Sequence, residues 1–354
     1  MTKFSGSRPA VLTQRRRFLR FCGGAAVATG GLQLLSACKD DVVGEEAVAR
    51  PPLPTTQAVP AYTATDNDRV NFTLQIHYLL AAFLQMGIYG TSLPPALVSG
   101  SGTAGTVRGG SQVSLTDTVL AAQLREIAES VIAQIGWMRR TLGSAVTAQP
   151  AIDIRGGEGS PFQAIAVSAP RPGATPTPTP TPAPTPSAKP PVFFDPYKSE
   201  TDFLLGAAAL TSVAASATVD VGRQVALDLA VSLVGLAASA GAREAVIRAA
   251  ILKRAIAEEA LPEAERGKPN LYDRFNNMAG ARDSYDGERQ FETGIGWIGY
   301  PEILGQDGSF NGFRRTPEQA LGVLYASSVP VRSGAFFPAG VNGVIQYSGS
   351  NQTS

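Results

Sequence analysis

Histidine is almost absent from this sequence: His77 stands alone among 354 residues. A single imidazole excludes any centre built on two histidines, such as a pair of Glu-x-x-His motifs on facing helices. It also leaves a serine hydrolase only one candidate base. His77 lies in the middle of a helical apolar stripe and no Gly-x-Ser-x-Gly is present, so that chemistry is set aside. Cysteine is as scarce, with only Cys22 and Cys38. Cys22 falls in an N-terminal leader and Cys38 directly after it, at a position expected to be acylated, which leaves no disulfide for the folded part and makes its stability a matter of burial. Acidic side chains are missing altogether before Asp40.

That acid-free start carries Lys3, Arg8, Arg15, Arg16, Arg17 and Arg20. The run Gln14-Arg15-Arg16-Arg17-Phe18-Leu19-Arg20 resembles the twin-arginine export signal, with Arg15, Arg16, Phe18 and Leu19 as its carrying residues. The stretch from Phe21 to Ala37 is Gly- and Ala-rich and too weakly apolar for a transmembrane helix. An ordinary secretory signal is the competing reading. Leu34-Leu35-Ser36-Ala37-Cys38 resembles a bacterial lipobox, which makes Cys38 the lipidated first residue of a mature chain; a cleaved signal with an incidental cysteine is the alternative. The expected place is the periplasmic side of the cell envelope, with the membrane as partner through the lipid on Cys38. Removing residues 1–37 takes six of the 30 basic side chains and none of the 29 acidic ones, leaving a net charge near −5. Nucleic-acid binding wants a basic face, so no nucleic-acid partner is expected.

Residues 38–65 are polar and proline-bearing and read as a tether. A Pro/Thr run over 169–192 reads as extended polyproline, a passive spacer or a glycosylated one. Around it, helical periodicity predicts four long helices, near Asp66–Tyr89, Asp117–Leu142, Thr201–Asp220 and Gln224–Ala260, with Gly222 as a possible interruption. The first has a stripe of Val70, Leu74, His77, Ala81, Leu84 and Ile88. The second has Leu124, Ile127, Val131, Gln134, Met138 and Leu142, with Gly143 as its stop. The fourth has Leu229, Leu233, Leu236, Ala240, Arg243, Ile247 and Ile251. Two helices, a long crossover and two more helices predict an all-α fold: a ferritin-like four-helix bundle over 66–261, followed by a loop-rich C-terminal extension over 262–354. One further helix is expected there, capped by Thr316 with Pro317 at its first position and Glu318 favouring its dipole.

Several runs carry a resemblance that spans nearly all of the mature chain. Asn71-Phe72-Thr73-Leu74-Gln75-Ile76-His77-Tyr78-Leu79, Phe194-Asp195-Pro196, Asp202-Phe203-Leu204-Leu205-Gly206-Ala207, Ala281-Arg282-Asp283-Ser284-Tyr285-Asp286-Gly287, Arg315-Thr316-Pro317 and Gly334-Ala335-Phe336-Phe337-Pro338-Ala339-Gly340-Val341-Asn342-Gly343 occur in that order. Together they resemble the ferritin-like proteins related to desiccation-related protein. The resemblance implies a di-metal centre of inward carboxylates and histidines. The matching positions here are His77, Val131 and Gln134, Thr211, and Ala240 and Arg243. None is a carboxylate. A one-turn shift brings in Glu126, Glu129 or Glu244, yet no shift restores Glu-x-x-His with a single histidine.

The expected consequence is a degenerate metal site and no cofactor, in a protein with a structural or binding role. The leaning is against an enzyme, and stress or desiccation tolerance enters by analogy with the family. The alternative is a ferritin-like oxidase or iron-handling protein that binds iron or manganese through other ligands; a small-molecule binder using the emptied core is a third reading. His77 is expected as a neutral core residue bonded to Gln134 rather than a lone ligand. Arg243 either fills the vacated cavity, with Gln134 and Thr211 as acceptors and an acid as counter-ion, or extends along its helix to water. Three other patterns carry no chemistry. Gly294-Ile295-Gly296-Trp297-Ile298-Gly299 spells a dinucleotide fingerprint but is followed by Tyr300-Pro301, not a helix. Asp283, Asp286 and Glu288 lack calcium-loop spacing and read as a solvated acidic turn. The glycine-rich stretch 100–112 reads as a loop.

Overall fold

A computed structural model describes residues 62–167, 193–287, 292–303 and 313–349. The export motif at Arg15, Arg16, Phe18 and Leu19, the lipidation site Cys38, nearly all of the tether, the Pro/Thr run and Glu288 lie outside the described residues. In chain order the helices are α1 (Asp66–Tyr89), α2 (Pro95–Val98), α3 (Thr118–Leu142), α4 (Pro161–Ala166), α5 (Glu200–Gly222), α6 (Leu227–Glu259), α7 (Leu271–Asp283) and α8 (Pro317–Tyr325). The four long ones, α1, α3, α5 and α6, form a ferritin-like bundle.

Local chemistry sets the helix ends. Thr65 and Asp68 close a capping box at the start of α1, and Gly90 ends it in the left-handed conformation at φ 67°. Asp117 accepts from the amides of Val119 and Leu120 to start α3, which stops at Gly143. Ser199 caps α5. Gly222 does not interrupt α5; it is the last residue, and Arg223–Ala226 turn the chain into α6, so Gln224 lies outside both helices. Thr316 caps α8 in a capping box with Gln319 and with Pro317 inside its first turn.

All four neighbouring helix pairs run antiparallel. His77 meets Gln134 and Asn71 meets Ala145 across α1 and its α3 end. Asp117 lies beside Lys253, and Ser130 beside Arg243, across α3 and α6. Arg254 bonds Glu200 at 2.8 Å across α6 and α5. Close approach of α1 and α5 depends on glycine: a Cβ on Gly87 would stand 2.0 Å from the Phe203 ring, and one on Gly206 would stand 3.1 Å from Phe83. Phe83 stacks on Phe203 at 4.7 Å and touches Phe162 of α4 at 5.1 Å, and Phe162 meets Phe336 edge-on at 5.0 Å. This cluster ties the bundle to the crossover and to the C-terminal segment.

Sequence periodicity describes α3 well. Leu124, Ile127, Val131, Met138 and Leu142 are buried, and the opposite face is wet. It under-describes α1, where nearly every residue from Val70 to Ile88 is buried. Helices cover two sides of α1, and segment 145–148 with Asn342 covers another. Gln75, fully buried, donates to Thr147 Oγ1 at 2.8 Å and accepts from the Asn342 amide at 3.2 Å. Such a helix has no polar face, and hence no stripe. The extension also differs from expectation: its described residues hold two α-helices, α7 and α8, not one. Asn270 caps α7, and Leu271, Tyr272, Phe275, Met278 and Ala279 face inward. The glycine-rich connection before α3 forms a two-residue parallel pairing, Val107 with Ile152 and Arg108 with Asp153. Gly296–Trp297 and Tyr300–Pro301 pair as a small antiparallel hairpin turning at Gly299, so a strand rather than a helix follows that glycine run.

Candidate functional site

The six positions expected to mark the degenerate metal centre come from four helices: His77 on α1, Val131 and Gln134 on α3, Thr211 on α5, and Ala240 and Arg243 on α6. His77, Gln134 and Arg243 meet in one hydrogen-bonded cluster. Val131 and Ala240 are buried apolar wall. Thr211 is buried but takes no part: its hydroxyl donates to its own helix, to Ala207 O at 2.7 Å and Ala208 O at 3.2 Å. The expected role of Thr211 as an acceptor for Arg243 is therefore corrected. Backbone carbonyls one turn back lie within reach whatever α6 presents, and they hold the hydroxyl.

Arg243 does not reach water. Only 5% of the residue is exposed. Its Nη1 donates to Gln134 Oε1 at 2.8 Å and lies 3.4 Å from both Ser130 Oγ and Ser239 Oγ. Gln134 Nε2 in turn donates to Ser239 Oγ at 3.1 Å. Nε and Nη2 of Arg243 are buried with no hydrogen-bond partner. The acid expected as counter-ion is absent among the described residues. Burial pushes the guanidinium down to about 10, which leaves it fully protonated at neutral pH.

His77 is 1% exposed. Nδ1 lies 2.8 Å from Thr73 O, and Nε2 lies 3.2 Å from Gln134 Oε1. Both neighbours are acceptors as the amide is oriented, yet neutral imidazole has only one N–H. The shorter contact assigns the proton to Nδ1. Nε2 then turns a lone pair toward Oε1, which is already held by Arg243. Burial first, and the Arg243 charge second, lower the imidazole to about 4. An imidazole titration followed by NMR is expected to show a midpoint near 4 rather than 6.5. The sign follows: the unfolded chain takes up this proton at higher pH than the folded one. The share of stability due to His77 is complete above about 6.5 and is lost as pH falls toward 4. A midpoint at or above 6 would show that the ring is open to solvent or paired with a carboxylate.

The donor chemistry of this cluster does not fit a pair of iron or manganese ions. Such ions need anionic oxygen ligands, and the cluster offers an imidazole, a carboxamide, hydroxyls and a cation. The shifted candidates do not repair it. Glu126 and Glu129 face solvent, and Glu244 lies 4.0 Å from Arg248 in another cluster. Among the described residues no group of three or more His, Cys, Asp or Glu side chains is arranged to hold a metal.

That other cluster was not legible as a site. Arg315, fully buried, donates through Nε to Asp286 Oδ2 at 2.7 Å, through Nη2 to Glu292 Oε1 at 2.9 Å and through Nη1 to Ser216 Oγ at 3.0 Å. Arg282 grips the same Glu292 with Nε at 2.9 Å and Nη2 at 2.8 Å, and Ser212 donates to it at 3.0 Å. Burial alone would raise Glu292, but the two guanidiniums override it and hold the carboxyl at about 2. Asp286 is pushed up to about 6 by burial, which Arg315 only partly offsets. Asp286 is therefore not part of a solvated acidic turn. The cue available in the sequence was that Arg282, Asp286 and Arg315 fall in the runs Ala281–Gly287 and Arg315–Pro317 that carry the family resemblance. Their partners on α5 lie too far along the chain for spacing to disclose.

A bundle of this connectivity, with its centre between α1, α3, α5 and α6, defines the ferritin-like class. The family model described as "Ferritin-like domain" matches residues 65–257, more than half of the chain, and the chain belongs to that family. No curated protein and no solved structure matches it.

Proposed function

We propose that this chain is an exported, lipid-anchored ferritin-like protein of the cell envelope, with a structural or binding role in place of di-metal chemistry. The observation that carries this reading is the buried guanidinium of Arg243 at the centre of the bundle, where the family's metal pair would require negative charge. Two divalent ions beside a fixed cation would have no compensating anion. The leader supports export by the twin-arginine route and attachment through Cys38. The resemblance to desiccation-related protein supports a part in stress tolerance. The competing reading, an oxidase or iron-handling protein, needs ligands that the described residues do not group together.

The test is metal analysis of the full chain, expressed with its own leader and extracted from membranes with detergent. Recovery in the membrane fraction with iron and manganese far below one equivalent is the expected result. Stoichiometric iron or manganese that survives chelation would overturn the non-metal role, and recovery as a free soluble protein would overturn the anchor.

A further inference from the structure

A cation held inside a bundle with two of its three nitrogens unbonded is costly unless something else meets it. Elsewhere in this protein buried or half-buried arginines are met. Arg315 and Arg282 close on Glu292 and Asp286. Arg155, beside a surface cleft of about 520 Å³, closes its fork on Asp153 at 2.7 to 3.0 Å. Arg248 is capped by the carbonyls of Ile303, Thr293 and Gly294. Arg243 differs from all of these in having no carboxylate and no backbone carbonyl among the described residues, only neutral side chains around Nη1.

The unbonded atoms are not scattered. Nε and Nη2 form one edge of the planar guanidinium, and their N–H bonds point the same way. That edge matches the two oxygens of a carboxylate in a bidentate pair. The cluster also has more donors than acceptors. Gln134 Oε1 is shared between Arg243 and the neighbourhood of His77, and Gln134 Nε2 is spent on Ser239. What is missing is negative charge and two acceptor atoms. The side chains that bound the cluster along the seam between α3 and α6 are short or half-buried, namely Ser130, Gln134 and Ser239.

We propose that the Nε–Nη2 edge of Arg243 binds the carboxylate of a small organic acid, entering along the α3–α6 seam. The inference rests on the non-metal reading of the same centre and gives that centre a ligand class. Arg243 offers one free fork and one positive charge, so the acid has a single carboxylate end. A phosphate dianion is disfavoured, because one guanidinium balances one charge.

The probe is sodium acetate against sodium chloride at equal ionic strength and neutral pH, on the detergent-solubilised full chain. Acetate is expected to raise the wild-type Tm by several degrees over chloride when it is well above its Kd. Arg243→Met and Arg243→Lys are expected to lose that difference, the second because an ammonium keeps the charge without the fork. On the wild type alone, the Arg243 Nε–H resonance is expected to move and saturate with acetate. Equal Tm in both salts, a difference that persists in both variants, or an unmoved Nε–H resonance overturns the proposal. Metal content of the same sample separates the two levels. Metal-free protein with no acetate response removes this inference alone; stoichiometric iron removes the non-metal reading and this inference with it.

Discussion

Replacing Arg315 by methionine is expected to lower the free energy of unfolding by about 3–5 kcal/mol, measured by denaturant unfolding at neutral pH. The guanidinium is fully buried and joins three parts of the chain: Asp286 after α7, Glu292 beyond it, and Ser216 on α5. The substitution removes one of the two guanidiniums that grip Glu292 and the one that bonds Asp286. Glu292 keeps the bidentate hold of Arg282 and the Ser212 hydroxyl. Asp286 loses its Arg315 hydrogen bond, and its Oδ1 already has no partner. A buried carboxyl in that position must take up a proton to stay folded.

The pH dependence of the loss follows from that proton. In the wild type Asp286 sits at about 6, above its ordinary value, so its ionisation already opposes folding as pH rises from about 4 through 6. Without Arg315 the folded-state value rises further. The deficit of Arg315→Met is therefore largest at pH 7 and smaller at pH 5. Arg315→Lys keeps a charge but lacks the fork and should fall between wild type and the methionine variant. A loss below about 1 kcal/mol would place the pair among weak, solvent-screened ion pairs and refute its role in holding the extension to the bundle.

How much of this could be read from the sequence depended on whether the signal was local. Capping residues are local, and Asp117, Gly143, Thr316 and Pro317 marked helix ends that the structure places within a residue or so. The stripes of α3 and α6 are local too, because each helix keeps one face in water. α1 was legible as a helix but not as a fully buried one, since burial on every side erases periodicity. α7 escaped notice although Leu271, Tyr272, Phe275, Met278 and Ala279 have helical spacing; its many polar residues gave it the look of a loop. The ionic network was illegible for a different reason. Arg315 finds Ser216 at a separation of 99 residues, and only the folded chain brings them together. At the centre, the sequence correctly put His77, Gln134 and Arg243 on facing stripes. It could not show that Thr211 turns back onto its own helix, or that no acid follows Arg243 inward.

The same comparison of paired and unpaired charge gives Arg243→Met the opposite sign from Arg315→Met. In a chloride buffer the variant is expected to be more stable than wild type by about 1–4 kcal/mol, taking as a guide the range found when a buried ion pair or triad is replaced by well-packed apolar side chains of similar volume. One good hydrogen bond is lost, from Nη1 to Gln134 at 2.8 Å. Gln134 Nε2 keeps its bond to Ser239, and its Oε1, 3.2 Å from His77 Nε2, regains a donor if the imidazole proton moves to that nitrogen. Met is flexible enough to settle against Val131 and Ala240. His77 supplies a second readout that stability alone does not. Arg243 is the charge that lowers its imidazole beyond the effect of burial, so the midpoint near 4 should rise in the variant. A gain in Tm together with that rise would identify Arg243 as a bare cation at the bundle centre. A loss of more than about 2 kcal/mol would mean that the guanidinium is already satisfied, since only a fully bonded buried charge is so costly to remove.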